Sequence, residues 1–334
     1  MRGTMHLKAA GGISMARMAA SITAAALISV LALCPAYAGK ITVGLSSVGL
    51  SYPFAAAIAK GFRDAANRIG ANAIVLDAQG SVQKQADDIQ DLVGEKVNGI
   101  VLMPLDSVVA KSWVNRAVAA GVPVVAVGSQ IGNPRTRPLR DVYPELTALV
   151  TQDEVAAGAE AGRVALALLP KGKAAEIAII EGAAGFPEVL QRAQGFRQAL
   201  DTAHAQYRVV ASQPGDWTPE KADAACQNIL AAHPNVDLFF NESDDMAVGC
   251  ARAVRAAGSH AKLVGIGGSK LAIAAVKAGL VDGTVCYRPE ALGAIAFNAL
   301  YSRITQKKKT TAAFLTYRTP GVTRANVNQC VGQW

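Results

Sequence analysis

The chain of 334 residues is poor in aromatic and charged side chains. Aromatic residues make up 5% and charged residues 17%, whereas hydrophobic residues reach 51%. This composition excludes a wholly disordered chain, which requires low hydrophobicity and high charge. Alanine, valine and glycine dominate, which favours small-residue helices packed on a sheet rich in valine and isoleucine. The length is sufficient for two domains of ordinary size.

The signatures of catalysis and of metal binding are also missing. The sequence has four histidines and no C-x-x-C pair, so it shows no zinc-site spacing. It contains no nucleophile elbow, no P-loop and no G-x-G-x-x-G motif after a strand. We therefore expect neither an enzyme nor a bound cofactor.

Basic residues exceed acidic ones without forming a patch. The formal net charge is +8, but the bases are dispersed apart from the run Lys307–Lys309. No basic stripe with interleaved aromatic residues is present, so we expect no nucleic-acid partner. The lysine run is interpreted as the solvated end of a helix.

The first residues have the three parts of a secretory signal. A short basic stretch, Met15–Arg17, precedes the apolar run Met18–Leu33, and an A-x-A site ends at Ala38. The apolar run is shorter than the ~20 residues that a membrane-spanning helix needs, so a retained anchor is the less favoured alternative. The prediction is a signal peptide over residues 1–38, cleaved after Ala38. It implies export to the periplasm without stable membrane insertion.

Four cysteines follow the predicted cleavage site, at Cys226, Cys250, Cys286 and Cys330. An oxidising compartment permits disulfides between them. Cys226 and Cys250 fall on neighbouring predicted helices, where a disulfide and two buried thiols are equally consistent with the pattern. A Cys286–Cys330 bond is likewise left open.

Short apolar runs alternate with amphipathic stretches in two successive series. Runs such as Val122–Val127 are apolar throughout, which indicates strands buried on both faces of a parallel sheet. The pattern predicts an α/β fold with two doubly wound parallel-sheet lobes joined by a hinge of several strands. The predicted ranges are an N-terminal lobe at 39–150 plus 289–318, a C-terminal lobe at 151–288, a tail at 319–334, and a hinge near Thr151, Tyr287 and Arg318.

Three segments carry a resemblance to a known family. Tyr52-Pro53-Phe54 is similar to the family's Asn-Pro-Phe motif, and Asn241–Gly249 is similar to its Asn-Asp-Glu-Met-Ala-Leu-Gly motif. Ala211–Trp217 closely matches the corresponding segment of the same family. From Ile41 to about Tyr317 the chain resembles the type I periplasmic binding proteins of the ribose-binding class.

That resemblance implies a small polar ligand, held when two lobes close. A sugar, a sugar derivative or a polyol is the expected class, with delivery to the permease of an ABC importer. We expect the chain to act as a monomer. A periplasmic sensor has the same fold and is the alternative, in which the bound state is presented to a membrane receptor or histidine kinase.

The resemblance also implies ligand contacts at the ends of strands. The nine candidates are Ser46, Ser47, Tyr52, Phe54, Ser129, Trp217, Ser243, Asp244 and Tyr287. Phe54 and Trp217 match rings that face each other from opposite lobes, although a core position is the alternative for Phe54. Ser46 or Ser47 matches the first hydroxyl contact.

Two further candidates stand where the family has amides. Ser243 replaces an asparagine and Tyr287 a glutamine that bind the sugar. Asp244 begins a predicted helix, and N-capping is its favoured role. Asp106 and Asp153 are also expected to be helix caps before they are ligand contacts.

Several charged positions of the ribose class are replaced in this chain. Where the ribose class has an Asp-Arg pair after the fourth strand, this chain has Gly128-Ser129. An arginine of the family's second lobe aligns with Leu190, although Arg192 is close by. A family aspartate in that lobe is replaced by Gly267. An unpaired buried polar group costs ~1–3 kcal/mol, so charged contacts discriminate strongly. The pocket is therefore not expected to be tuned for ribose.

Overall fold

The computed structural model describes residues 40–306 and 312–334. The predicted signal peptide over residues 1–38 and the run Lys307–Lys309 lie outside the described residues. Within those two ranges, none of the helices is both long enough and apolar enough to cross a membrane.

The described chain alternates strands and helices almost throughout. The strands are β1 (Thr42–Ser47), β2 (Asn72–Asp77), β3 (Gly99–Leu102), β4 (Val124–Val127), β5 (Ala148–Val150), β6 (Ala175–Glu181), β7 (Tyr207–Pro214), β8 (Leu238–Asn241), β9 (Lys262–Val264), β10 (Gly283–Val285), β11 (Ala313–Leu315) and β12 (Gly321–Thr323). The helices are α1 (Pro53–Arg68), α2 (Val82–Gly94), α3 (Ala110–Ala119), α4 (Glu154–Leu166), α5 (Pro187–Thr202), α6 (Pro219–Ala232), α7 (Asp244–Ala256), α8 (Lys270–Ala278) and α9 (Pro289–Gln306).

These strands form two sheets of six strands each. The first has the order β11-β5-β4-β3-β1-β2 and is parallel throughout. The second has the order β12-β10-β9-β8-β6-β7 and is parallel except for β12, which runs antiparallel to β10. The predicted α/β fold with two doubly wound lobes is confirmed. We call the first sheet with α1, α2, α3 and α9 the first lobe, and the second sheet with α4 to α8 the second lobe.

The apolar runs are strands because helices cover both of their faces. On β3, Val101 belongs to a core with Phe62 of α1, while its neighbour Ile100 belongs to a core with Leu92 of α2. Successive side chains of a strand point to opposite faces, so a fully apolar run needs this double cover. Each such buried side chain stabilises the fold by ~1.5–3 kcal/mol.

Helices α1 and α9 pack closely against each other beside the hinge. A Cβ atom at Gly61 would lie 1.9 Å from the carbonyl oxygen of Glu290, so the two backbones are in contact there. This contact holds Phe54, in the first turn of α1, near Tyr287, which precedes α9. Their ring centroids are 6.2 Å apart.

The chain passes between the two sheets near each of the three predicted hinge residues. The passages lie after β5, after β10, and between β11 and β12. At the first passage, Thr151 Oγ1 donates to the carbonyl oxygen of Gly128 at 2.5 Å.

The segment 319–334, predicted as a tail, is part of the second lobe. It contributes β12 and is joined to β10 by the Cys286–Cys330 disulfide, with Cα atoms 5.8 Å apart. Cys226 and Cys250 form a second disulfide, between α6 and α7, with Cα atoms 5.4 Å apart. Both cysteine pairs that the sequence left open are therefore bonded in the structure.

Candidate ligand-binding site

A cavity of about 520 Å³ lies between the two lobes. Its walls come from segments that follow strands of both sheets, among them Gly128 and Ser129 after β4, Ser243 after β8 and Tyr287 after β10. Ligands in open α/β sheets bind outside the carboxyl ends of the strands, as here. The volume falls within the ~300–1,000 Å³ that is usual for small-molecule sites.

Aromatic rings from both lobes line this cavity. Phe54 of the first lobe and Trp217 of the second both line it. The Phe54 ring lies 5.5 Å from that of Trp334 in an edge-to-face arrangement, and Trp217 lies 5.9 Å from Phe186 in the same way. Such rings suit the apolar face of a ring-shaped ligand.

The turn before α6 positions Trp217. Asp216 and Trp217 both have positive φ angles, of 49° and 63°, and Lys221 Nζ lies 2.6 Å from the Asp216 carboxylate. A Cβ atom at Gly182 would lie 1.9 Å from the Trp217 ring, so only glycine leaves room for this orientation. The match over Ala211–Trp217 thus corresponds to a turn that presents the ring to the cavity.

Arg192, which the sequence placed close to the expected arginine position, is buried in the cavity wall. Its Nε donates to Glu154 Oε2 at 2.7 Å and its Nη2 to Glu154 Oε1 at 3.1 Å. Its Nη1 donates to the carbonyl oxygen of Glu242 at 2.5 Å. Burial opposes the charge, but Glu154, Tyr287 and Glu188 together outweigh it and raise the pKa of Arg192. The guanidinium is therefore permanently charged and engaged by the protein itself.

Glu188, in the first turn of α5, is a second buried acid beside Arg192. Its Oε1 accepts a hydrogen bond from Ser129 Oγ of the first lobe. Its Oε2 has no hydrogen-bond partner among the residues that the structure describes. Burial raises the pKa of Glu188 to about 7, and the nearby Glu154 carboxylate adds to the shift.

The lobes also touch beside this pair. Gln191 Nε2 donates to Gln130 Oε1, which lies one residue after Ser129. Two neighbouring hydrogen bonds thus join α5 to the segment after β4. The structure therefore has the lobes closed around the cavity.

Asp244 is buried and lines the cavity, but it is not the helix cap that the sequence predicted. Ser243 is the N-cap of α7, because its extended backbone lets its Oγ accept from Met246 N at 3.3 Å. Asp244 lies one residue further into the helix and accepts from Thr284 Oγ1 at 2.5 Å and Ser269 N at 2.7 Å. Burial raises the pKa of Asp244 to about 6.

Of the other two predicted caps, Asp153 is confirmed, whereas Asp106 is wrong, because the N-cap of α3 is Val109. Asp153 accepts from Ala156 N at 3.0 Å and caps α4. Asp106 accepts from Val108 N at 2.8 Å and Val109 N at 2.9 Å, in the turn that leads into α3.

The structure does not bring Ser46 and Ser47 into the cavity. Ser46 Oγ donates to Asp88 Oδ2 at 3.3 Å, on the side of the first sheet that α2 covers. Ser47 is buried, and its Oγ has no partner among the described residues. Strand β1 pairs with β2 through Ser47, so Val48 is the first residue after it to line the cavity.

The remaining seven candidates meet around this one cavity. They are Tyr52, Phe54, Ser129, Trp217, Ser243, Asp244 and Tyr287. Sequence reasoning missed Glu154, Glu188 and Trp334 altogether. Trp334 is held by a hydrogen bond from Lys270 N to its carbonyl oxygen at 2.8 Å. Across the described ranges, no cluster of three or more His, Cys, Asp or Glu side chains could hold a metal ion.

Comparisons with known proteins agree on one family. A family model described as "Periplasmic binding protein domain" matches residues 43–309. The ribose import binding protein of Bacillus subtilis is 30% identical over 271 residues, which cover 80% of this chain and 83% of the relative. An ABC transporter periplasmic solute binding protein from Actinobacillus succinogenes with bound D-allose has a TM-score of 0.77 and 26% identity, covering 87% of this chain and 100% of that chain. The Caulobacter myo-inositol binding protein bound to myo-inositol has a TM-score of 0.77 and 26% identity, covering 88% of this chain and 96% of that chain.

Proposed function

The chain belongs to the periplasmic binding protein domain family, and from this premise we propose that it binds a small sugar, sugar derivative or polyol and delivers it to the permease of an ABC importer. The relatives named above are substrate-binding proteins and not enzymes. One is named for ribose import, so these relatives give no support to the alternative role of a periplasmic sensor. The proposed location is the periplasm, after cleavage of the signal peptide at Ala38.

The observation that carries this proposal is that Phe54 and Trp217, from different lobes, line one cavity. Each ring belongs to a different lobe, so neither lobe alone presents both walls. A ligand that contacts both lobes binds the closed arrangement more tightly than the open one, and this difference drives closure. Polar side chains of the lining, among them Ser129 and Ser243, then satisfy hydroxyl groups of the ligand.

The proposal is tested on the exported protein, purified from the periplasm. Native mass spectrometry shows whether it retains a ligand, and thermal unfolding is then measured against a library of sugars and polyols. A ligand at about a hundred times its Kd adds about 2.7 kcal/mol to the free energy of unfolding. If no member raises the melting temperature and no retained ligand is found, binding of this class is refuted.

The transport step needs a separate measurement. Deletion of the gene should abolish uptake of the radiolabelled ligand by the native host, and expression of the intact chain should restore it. Normal uptake after deletion would contradict the role in import while leaving ligand binding intact.

A further inference from the structure

Glu188 is a buried acid of the cavity wall to which no cationic side chain among the described residues is hydrogen-bonded. Glu188 is 6% exposed and lines the cavity. Ser129, a neutral residue, donates to its Oε1, and no described residue donates to its Oε2. A buried carboxylate oxygen without a partner is costly, so this atom calls for a donor from outside the protein.

Arg192 does not supply that donor. Its Nε and Nη2 are bonded to Glu154 and its Nη1 to the Glu242 carbonyl group. Among the described residues, Arg192 is the single cationic side chain that lines the cavity. The charge of Arg192 also attracts Glu188 at longer range, but it is already matched by the charge of Glu154, to which Arg192 is bonded. The wall therefore keeps an excess of negative charge.

The two other buried acids of the wall, Glu154 and Asp244, are already satisfied, and Arg192 and Tyr287 donate to Glu154. Both carboxylate oxygens of Asp244 accept hydrogen bonds, from Thr284 Oγ1 and Ser269 N. Asp244 therefore needs no donor from a ligand. Among the buried acids of the wall, the oxygen that still needs a donor is Glu188 Oε2; the other buried acceptor of the lining without a partner among the described residues is the neutral amide oxygen of Gln152.

We propose that the ligand carries a protonated amino group, which binds to Glu188 Oε2 inside the cavity. The proposal rests on the proposed function and narrows its ligand class to an amino sugar or amino polyol. An ammonium group has three donors and forms charge-assisted hydrogen bonds with a carboxylate, which are about twice as strong as neutral ones. Ser129 Oγ retains lone pairs that can accept a second N–H.

The aromatic walls favour the same ligand. Faces of tryptophan and phenylalanine rings attract cations, most strongly when the cation is desolvated. Trp217 already accepts such a contact from Arg192, whose guanidinium carbon lies 5.5 Å from the ring centroid. The cavity thus combines a buried carboxylate oxygen without a partner with aromatic rings, such as that of Phe54, whose faces attract cations.

A neutral ligand is the competing occupant of the same position. Glu188 would then be protonated and would donate to a hydroxyl or carbonyl oxygen of the ligand. Both cases agree with the proposed function, but they predict opposite ligand preferences and opposite effects of removing the carboxylate.

Calorimetry on the full exported protein separates them with ligands matched in shape. Each set contains an amine, its N-acetyl form and the parent hydroxyl compound, such as glucosamine, N-acetylglucosamine and glucose, with galactose and myo-inositol sets alongside. The amine of the preferred set should bind at least tenfold more tightly than either neutral member. This comparison uses the unaltered chain and does not depend on the folding of a variant.

Glu188→Gln keeps the side-chain size and removes the charge. It should weaken amine binding at least tenfold and change the binding of neutral members less than twofold. Glu145→Gln, at an exposed position, is the matched control and should change neither. Tighter binding of the neutral members, or unchanged amine affinity in the Glu188 variant, would overturn the inference while the proposed function stands. Absence of binding by every set would count against both.

Discussion

The hydroxyl group of Tyr287 donates a hydrogen bond to Glu154 Oε2 at 2.7 Å. Tyr287 lies where the chain leaves the second sheet for α9, and Glu154 begins α4 just after the passage from the first sheet. The same carboxylate is paired with Arg192 in the cavity wall. Two crossings of the hinge and one wall of the cavity therefore share a single acid.

Tyr287→Phe tests this junction, because it removes only the hydroxyl group. Glu154 would lose one of its buried donors, so the free energy of unfolding should fall by ~1–3 kcal/mol. Urea denaturation followed by circular dichroism measures the loss. Tyr301→Phe is the control, since the Tyr301 hydroxyl group makes no hydrogen bond within the described residues, and it should cost much less. Equal losses in the two variants would show that the hydroxyl of Tyr287 is not structural.

Trp217→Ala tests whether the second wall of the cavity binds ligand. The variant loses the ring that the second lobe's turn before α6 contributes to the cavity. Truncation of an aromatic hot spot costs ~2 kcal/mol or more, which is roughly a thirtyfold rise in Kd. Isothermal titration with the ligand found by native mass spectrometry gives the value. Leu271→Ala, at an exposed apolar position, should leave the Kd unchanged. An unchanged Kd in the Trp217 variant would remove this ring from the site.

The architecture of the two lobes could be predicted from local sequence, because buried parallel strands have an unmistakable pattern. Val124–Val127 is apolar at every position, and such a run forms a strand only when helices cover both faces. The passages near Thr151 and Tyr287 followed from counting strands in each series. The turn at Trp217 was found because its residues resemble a known segment.

Other features depend on geometry that local sequence does not encode. Ser46 and Ser47 lie inside β1, whereas Val48, just after the strand, lines the cavity. Local sequence does not fix the end of a strand to the single residue that this distinction needs. Glu188 has the sequence signature of an ordinary acid in the first turn of a helix. Its burial arises only when Ser129 of the other lobe lies against it. Trp334 reaches the cavity through β12 and the Cys286–Cys330 disulfide, which no local pattern foretells.

The two disulfides offer a matched test of how Trp334 is positioned. Cys286→Ser with Cys330→Ser releases the segment that carries Trp334, whereas Cys226→Ser with Cys250→Ser alters only the packing of α6 against α7. The bonds span 44 and 24 residues, so each should contribute about 3–4 kcal/mol to the free energy of unfolding. The first pair should also weaken ligand binding, while the second should not. If both pairs changed the Kd equally, the disulfide would not act through Trp334.

The pH dependence of stability tests the environment of Glu188 in the ligand-free protein. Burial raises the pKa of this acid from 4.5 to about 7. The groups facing it are Ser129 after β4, Glu154 of α4 and Arg192 of its own helix. Because the folded state then holds the proton more tightly than the unfolded state, the stabilisation is fully present below about pH 4.5 and is lost as the pH rises through 7.

Glu188→Gln isolates this contribution from the other buried acids, since Asp244 and Glu242 shift in the same direction. Between pH 5 and 8 the unaltered protein should lose up to about 3 kcal/mol more of its free energy of unfolding than the variant does. Urea denaturation at each pH gives the difference. A saturating amine ligand should reduce this difference between the two proteins, because the ammonium group stabilises the ionised carboxylate. A neutral ligand that accepts a hydrogen bond from protonated Glu188 would enlarge the difference. Identical pH profiles for the two proteins would mean that Glu188 titrates near its ordinary pKa and that the cavity does not isolate it from water.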